Sequence, residues 1–396
     1  MPRSILLQIL AVSIACGCDA VIPPLPPDDS ILDGPVYGLT TDQNARFLAG
    51  DIAFNDEIFT PETGLGPVFV TTSCGTCHAG DGKGHPFSTL TRFGQTDSTG
   101  NKFIGRGGPQ LQNRAIAGFV PELLPAGAAF AKFMPPANTG LGFLEALTDQ
   151  QVMAYADPQD ADGDGISGVP NLIDPPAYYI PGPSQISFSG KYIGRFGKKA
   201  SAINLLHQTV NAYNQDIGIT SVFDPVDPYT QQPTDPEVSE KTIRDVVFYL
   251  QTLKEPIQRN ISDGSIIKGK QLFLDIGCGK CHVPEWTTPV SSIAALSEKT
   301  FYPYTDLLLH DMGPGLDDGY TEGTALTIEW RTPPLWGIGL APNSQGGRYF
   351  LLHDGRAGSL EEAILMHGGE GDASRAAFEI LSETDKEDLV RFLESL

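Results

Sequence analysis

Apolar residues recur at helical spacing in several separate stretches of the chain. In residues 239–253 they occupy one helical face, and residues 382–396 repeat this pattern after a Ser that is typical of a helix start. Residues 266–274 and 41–59 show the same spacing among polar neighbours. The pattern therefore predicts a mainly α-helical protein.

The segments between these stretches are rich in glycine and proline. The chain has 44 Gly and 32 Pro, which is more than average usage and predicts long ordered loops between short helices. With 40% hydrophobic and 19% charged residues the protein is globular. At 396 residues it exceeds the roughly 250–300 residues that a single core supports, so two or three domains are expected.

The pentapeptide Cys-x-x-Cys-His occurs twice, once in each half of the chain, and is the signature of c-type haem attachment. Two thiols at this spacing can form thioethers to one porphyrin edge, and the adjacent His can then coordinate iron. A zinc site is a weaker alternative, since zinc pairs usually repeat after roughly 15–20 residues. A redox disulfide would not require the His. The residues predicted to hold two covalent haem c groups are Cys74, Cys77, His78, Cys278, Cys281 and His282.

A helix runs directly into the second haem motif, a helix and a Gly/Pro loop precede the first, and a helix closes each half, which together predict two cytochrome c-like units. The first spans residues 41–260 and carries a large insertion at about 150–235, and the second spans residues 261–396. Residues 1–18 are predicted to be a lipoprotein-type signal peptide. The Pro-rich residues 19–40 are predicted to form an extended tether.

The leader determines the predicted location. Residues 5–14 are mostly apolar but too few to span a bilayer, and no later stretch is long and apolar enough. Cys16 and Cys18 each follow a small residue, as at a lipoprotein cleavage site. Cys18 is preferred because cleavage there leaves no free thiol. An ordinary secretory signal is the alternative, and both place the protein in the periplasm or cell envelope.

The net charge of −22 argues against nucleic acid or an anionic membrane surface as a partner. Contact with a membrane is expected only through the lipid anchor. The charge would suit a basic electron-donor protein, although simple solubility explains it equally well.

The insertion contains the sequence Asp160-Ala-Asp162-Gly-Asp164-Gly, which matches the first half of a calcium loop. Position 12 is Asn171, where the standard loop has Glu, so this is not a standard EF-hand. The pattern predicts Ca²⁺ bound by Asp160, Asp162 and Asp164, with a solvated acidic turn as the alternative.

A second haem iron needs a sixth ligand, and His367 is the best candidate. Ser359 and Glu362 have the spacing of a capping box, so a helix is predicted to begin there. His367 falls on the apolar stripe of that helix, in the same unit as His282. Met366, one residue off the stripe, is the alternative ligand. Two imidazoles would give a lower potential than a Met/His pair.

Taken together, the motifs resemble a known family. Helix-Cys-x-x-Cys-His, Arg331-Thr-Pro-Pro and His353-Asp-Gly-Arg are similar to the bacterial di-haem cytochrome c peroxidase superfamily. The segments that contain Glu145, Asp216 and His310-Asp-Met-Gly resemble its di-haem oxidoreductase branch, sometimes labelled thiol oxidoreductases. The resemblance implies that one haem relays electrons and the other, backed by His78, has an open iron that reacts with peroxide. It also implies calcium between the haems.

Peroxide cleavage requires a distal acid–base group, and Glu145 is the candidate because it interrupts an apolar helix. The alternative is that Glu145 pairs with an Arg or faces solvent. Met134 could instead close the first iron, as in electron carriers.

Arginines favour haem propionates through their bidentate geometry. The arginines predicted to contact haem are Arg195, Arg331 and Arg356.

The sequence thus favours a di-haem oxidoreductase that passes electrons from a small redox protein, of cytochrome or cupredoxin type, to peroxide or to an unknown oxidisable substrate. One alternative is a pure electron-transfer protein with both irons six-coordinate. The other is a maturation enzyme that oxidises residues of a partner protein.

Overall fold

The computed structural model describes residues 27–396. It is mostly helical, with short strands and long loops. The predicted signal peptide, Cys16 and Cys18 lie outside the described residues. None of the described helices has the length and hydropathy that a membrane span requires.

Ten α-helices are present in the described residues, and they are numbered α1 to α10 in chain order. They are Thr41–Asp51, Leu141–Ala146, Asp149–Met153, Leu205–Asn211, Glu240–Thr252, Gly264–Asp275, Ala341–Ser344, Leu360–Leu365, Asp372–Glu379 and Glu383–Ser395. Two of them, α1 and α4, continue into π-helical turns at Ile52–Asp56 and Ala212–Asp216.

Ten short strands form five antiparallel pairs, β1–β3, β2–β4, β5–β6, β7–β8 and β9–β10. They are Val68–Phe69, Leu90–Phe93, Arg114–Ala115, Phe130–Phe133, Leu172–Ile173, Tyr192–Ile193, Trp286–Thr287, Thr300–Phe301, Leu309–Asp311 and Glu329–Arg331. The pairing of β9 with β10 sets Trp330 opposite His310. These pairs brace the loops between the helices.

Side-chain caps fix where the longer helices begin. Thr40 forms a capping box with Gln43 at the start of α1. Ser239 accepts the amide of Thr242 before α5, and Ser382 accepts the amide of Asp385 before α10. The four long helices α1, α5, α6 and α10 therefore lie within a few residues of their predicted positions.

The long helices pack in two pairs, α1 against α5 and α6 against α10. Each pair crosses at a glycine. A Cβ on Gly50 would meet Asp245 O and lie 2.6 Å from Tyr249 Cβ. A Cβ on Gly269 would meet Asp388 O and lie 2.8 Å from Phe392 Cβ. Both glycines therefore allow the backbones of a pair to approach closely.

The expected extended tether is wrong for residues 27–40. Val36 is buried, and its N–H donates to Thr252 O at 2.8 Å. Lys254 forms an ion pair with Asp28 at 2.6 Å. This segment packs against the end of α5 through a buried apolar side chain and a backbone hydrogen bond. Its proline content does not predict this packing.

The glycine crossing gives a testable expectation. Gly269→Ala should lower the free energy of unfolding by about 1–3 kcal/mol, since the added methyl group meets the α10 backbone. Gly264→Ala in the same helix has no neighbour within 4 Å and should leave stability unchanged or slightly raised. Denaturant titration of the holoprotein measures both. Equal stability of the two variants would contradict this account of the crossing.

Candidate haem sites

The first Cys-x-x-Cys-His motif follows the π-helical end of α1. Its His78 holds Nδ1 at 3.0 Å from Pro136 O. A carbonyl oxygen only accepts, so Nδ1 carries the proton and Nε2 is left unprotonated. Burial lowers the pKa of His78 to about 4, which keeps the ring neutral. The imidazole is therefore in the form that binds iron.

The second motif repeats this arrangement after α6. His282 Nδ1 lies 3.0 Å from Tyr304 O, and burial lowers the pKa of His282 to about 4. Again a backbone carbonyl fixes the tautomer and leaves Nε2 available. The same hydrogen bond thus orients both candidate proximal ligands.

Both motifs line one continuous cavity of about 400 Å³, which is the size range of ligand sites. Its wall includes Cys74 and His78 from the first motif and Cys278, Cys281 and His282 from the second. The two candidate haem sites therefore face a shared interior space.

The four motif cysteines are free thiols in the structure. Burial raises the pKa of Cys74 to about 12 and that of Cys77 to about 11. Burial also raises the pKa of Cys278 to about 12. Reactive redox cysteines have lowered pKa values, so these thiols do not resemble a dithiol redox centre. Within residues 27–396 no group of Cys and His is arranged to hold a metal ion by itself.

Three cations line the cavity without an acidic partner among the described residues: Lys83, Lys198 and Arg331. Burial lowers the pKa of Lys83 to about 8 and that of Arg331 to about 10. Burial and the nearby charges of Lys83 and Arg331 lower the pKa of Lys198 well below its usual value. Such groups need an anion, and haem propionates would supply it. The cavity therefore fits haem in both its imidazole donors and its charge.

Two of the predicted haem-contacting arginines are elsewhere. Arg195 is buried outside the cavity wall, where it pairs with Asp149 at 2.6 Å and donates to carbonyls at the end of α2. Arg356 pairs with Asp318 and Asp354 near the surface. Both guanidinium groups are already neutralised by protein carboxylates. Of the three, only Arg331 lies in the cavity wall.

His367 lies in the cavity wall just after the end of α8. Its Nδ1 lies 2.7 Å from Ala363 O, so Nε2 is again unprotonated. Burial lowers the pKa of His367, and its charged form would also lower the pKa of His282. Both rings line the same cavity. The helix is shorter than predicted, and His367 is placed by its last turn.

Met134 is fully buried in the cavity wall. Its Sδ lies 3.7 Å from Gln345 Nε2, and its N–H donates to His353 O. The structure thus brings Met134 to the same cavity as His78. Its role as an iron ligand stays a prediction.

Glu145 is not in the cavity wall, so the structure gives no support to its predicted role as an acid–base residue. One carboxylate oxygen accepts the amide of Leu205 at the start of α4, and the other accepts Gln251 Nε2 at 2.6 Å. Glu145 therefore joins α2 to α4 and α5. These contacts explain why a carboxylate stands among apolar neighbours.

Asp216, for which the sequence analysis predicts no role, lies in the cavity wall. Burial raises the pKa of Asp216 to about 6, against the opposing effects of Gln110 and Arg92. Its negative charge raises the pKa of both Cys74 and Cys77, so it is close to the first haem motif. The only sequence signal was an acidic residue in the family-like segment Asp216-x-Gly-Ile-Thr.

His310 was also missed as part of a buried network. It lies between Asp306 at 2.7 Å and Glu370 at 2.6 Å, and 3.6 Å from Cys281 Sγ. The two carboxylates raise the pKa of His310 to about 12 despite its burial. This protonated imidazole is held beside the second motif.

The acidic loop brings together a different set of aspartates from the set that the sequence predicts. Oxygens of Asp157, Asp160 and Asp162 lie within 4.8 Å of one another. Asp164 instead pairs with Lys280 of the second haem motif at 3.0 Å. Asn171 is buried and binds Lys199 O and Thr324 N. Calcium binding stays a prediction, and Asp157 lies where the sequence pattern expected Asp164.

The solved structures that match this chain include the following two. One is the hydrazine synthase of Kuenenia stuttgartiensis, at 14% identity over all of both chains and a TM-score of 0.40. The other is a MauG-like protein associated with microbial copper homeostasis, at 14% identity over 91% of this chain and 92% of that one, with a TM-score of 0.41. A comparison with curated proteins gives no match.

A protein family described as "Di-haem oxidoreductase, putative peroxidase" matches residues 131–396, which is more than half of the chain. The match includes the second Cys-x-x-Cys-His motif, and the first lies upstream of it. With two such motifs on one cavity, the chain belongs to the di-haem oxidoreductase family.

Proposed function

We propose that this protein is a c-type di-haem oxidoreductase that reduces peroxide at its first haem site with electrons received through its second. The observation that carries the proposal is the pair of proximal imidazoles, each fixed by a backbone carbonyl and each facing the same cavity. When bound, haem iron exchanges single electrons and, with a coordination position open, reacts with peroxide. The four motif cysteines would attach two haem groups covalently.

The second haem site would be six-coordinate. His282 and His367 both have Nδ1 engaged by a backbone carbonyl, and both line the cavity. With two imidazole ligands this site would bind no further molecule and would relay electrons. The lower potential of a bis-imidazole pair, compared with Met/His, suits a relay to a strong oxidant.

The first haem site would remain open to peroxide, with Asp216 as the acid–base group in place of Glu145. A carboxylate with a pKa near the working pH can accept a proton from one peroxide oxygen and return it to the other. Gln110 donates to one oxygen of Asp216 and fixes its orientation. Arg92 is itself paired with Glu322 at 2.6 Å, so it leaves Asp216 free to exchange a proton.

A specific observation favours a second function, electron transfer without peroxide chemistry. Met134 is fully buried in the cavity wall, and thioether sulfur is a common sixth ligand of cytochromes c. If Met134 binds the first iron, both sites are closed.

We further propose that a leader exports the protein and that lipid on Cys18, or on Cys16, anchors it in the cell envelope. The donor would be a small redox protein with a basic surface, as the net charge of −22 suggests. We also propose that the acidic loop binds Ca²⁺.

The ferric EPR spectrum separates the two functions. An open first site should give one high-spin and one low-spin signal. Two low-spin signals, one of which becomes high-spin in Met134→Leu, would establish the electron carrier and contradict the proposed function.

Removal of His367 should change only the second haem. In His367→Ala one low-spin ferric signal should become high-spin, because the iron loses its sixth ligand. His207→Gln is the control, since His207 is buried outside the cavity wall and should leave the spectrum unchanged. An unaltered spectrum in His367→Ala would rule out this residue as the ligand.

Replacement of Asp216 should slow peroxide reduction while both haems remain in place. Asp216→Asn should lower the rate by about 10²–10⁴-fold, the usual contribution of a general acid–base group. Glu145→Gln should retain the rate. The wild-type rate should also fall as the pH drops through about 6, where the carboxylate becomes protonated, and this step should be absent in Asp216→Asn.

Stopped-flow measurement of peroxide consumption gives these rates, and pyridine haemochrome titration controls for haem content. If Asp216→Asn keeps the wild-type rate and pH profile, Asp216 is not the acid–base group.

A further inference from the structure

The two helix pairs place corresponding residues behind the two proximal histidines. Four residues after the crossing glycine of each pair stands a Phe, Phe54 in the first and Phe273 in the second. The Phe54 ring lies 5.8 Å from the His78 ring, and the Phe273 ring lies 6.3 Å from the His282 ring. The same aromatic position therefore supports each imidazole.

The residue that packs on this Phe from the closing helix differs between the two pairs. In the first it is Tyr249, with ring centroids 5.6 Å apart, and in the second it is Phe392, at 5.4 Å. Both rings are fully buried. Because Phe392 fills its position without a hydroxyl, the packing of such a helix pair does not require one.

The extra hydroxyl of Tyr249 is part of a buried hydrogen-bond chain. It donates to Asp81 Oδ2 at 2.5 Å and accepts from Asn55 Nδ2 at 3.0 Å. Asp81 stands just beyond the first haem motif, on the loop that begins at His78. The second haem motif has no counterpart of this chain among the described contacts, since Glu285 at the matching position is exposed.

Asp81 is held in an unfavourable setting. It is fully buried, its φ of 55° is left-handed, and its Oδ1 has no partner in the described part of the chain. A left-handed non-glycine residue and an unsatisfied buried oxygen each cost stability. Packing of the Tyr249 ring alone would require neither of these unfavourable features. The hydrogen bond from the Tyr249 hydroxyl is therefore the contact that accounts for a carboxylate at position 81.

We propose that Tyr249 and Asp81 form a redox-active pair that supplies an electron to the first haem site when the second haem has none to give. This inference rests on the proposed function, in which hydrogen peroxide takes up two electrons and two protons and leaves as two molecules of water. Solvent supplies the two protons, the first haem would give one of the two electrons, and Tyr249 gives the other. Its O–H bond breaks, and the proton forms a new O–H bond on Asp81 Oδ2.

The product is a neutral tyrosyl radical beside a protonated Asp81. An electron that later arrives through the second haem, together with the return of the same proton, restores the phenol. Loss of an electron from a buried Tyr without proton transfer would leave a positive charge in an apolar setting, which is costly. The short hydrogen bond to Asp81 avoids that charge, and Phe54 gives contact with His78.

Tyr213 provides the contrast within the same site. It is also buried, lines the cavity and lies near Cys74, but its hydroxyl has no hydrogen-bond partner among the described residues. A Tyr with no proton acceptor is harder to oxidise. The radical should therefore form on Tyr249 and not on Tyr213.

Freeze-quench EPR of the ferric holoprotein mixed with hydrogen peroxide tests the pair. The wild type should show a tyrosyl radical together with a change in the ferric haem signals. Tyr249→Phe and Asp81→Asn should lose the radical and keep the haem change. Tyr213→Phe should keep both. Because Phe occupies the corresponding position in the second pair, Tyr249→Phe is expected to fold, and haem absorption and thermal unfolding verify this.

The outcomes separate the two ideas. A haem change with the radical still present in Tyr249→Phe, or with no radical in the wild type, overturns the redox pair and leaves the proposed function standing. A radical that persists undiminished in Asp81→Asn also overturns the pair, because the proton then has another acceptor. Haem signals that do not respond to peroxide contradict the proposed function and this inference with it.

Discussion

The hydrogen bond that Nδ1–H of each motif histidine donates to a backbone carbonyl is the interaction on which the rest of the site depends. It fixes the tautomer and directs Nε2 into the cavity. The carbonyls belong to Pro136 and Tyr304, which lie in loops 58 and 22 residues beyond their histidines. The pentapeptides alone therefore do not complete the sites. The loops braced by β4 and by the β7–β8 pair have to be in place first.

Charge gives the second constraint. The chain as a whole is strongly acidic, yet the cavity wall holds cations that no carboxylate neutralises among the described residues, Lys83, Lys198 and Arg331. Buried cations without partners destabilise a protein unless an anion occupies the site. Haem propionates meet this need, and bound haem is then expected to contribute to stability as well as to chemistry. Without an anion these groups are uncompensated, and this is the reason that their pKa values are lowered.

Local signals in the sequence were sufficient for the long helices. Capping residues and apolar stripes placed α5, α6 and α10 within two residues of their ends. His367 was predicted because it continued such a stripe, and the structure places it in the cavity wall, while its role as a ligand stays a prediction. Glu145 was misplaced because an apolar helix does not reveal whether its carboxylate meets a cavity or the backbone of another helix. Its partners, Leu205 and Gln251, are 60 and 106 residues away.

The same limit explains the arginines and the residues that were missed. Arg195 and Arg331 both stand in Gly- or Pro-rich segments, and only the fold shows that Asp149 already neutralises the first. Lys198 lies in no motif that points to a role, and the family-like segment around Asp216 does not show what its carboxylate does. Both residues matter because they are buried beside groups that are distant in the sequence. Contacts of this kind cannot be predicted from a single sequence.

The two helix pairs share one frame and differ in the polar groups around it. The glycine crossing and the Phe behind the histidine are the same in both, so the packing that fixes each proximal ligand is shared. The differences lie in the polar groups added around it. The second motif has His367 and the protonated His310 nearby, which suit a closed site of constant coordination.

The first motif instead has groups that can exchange protons or whose hydrogen-bonding capacity is unused. Asp216 has a pKa near neutrality, and Thr209 and Tyr213 line the cavity with hydroxyl groups that have no partner among the described residues. Unused donors in a buried wall cost free energy unless a bound molecule satisfies them. A small polar molecule that enters the site can form these hydrogen bonds and offset the cost. At a site closed by a sixth ligand the cost would not be offset in this way. The polar groups thus favour an open iron at the first site, on a helical frame that both sites share.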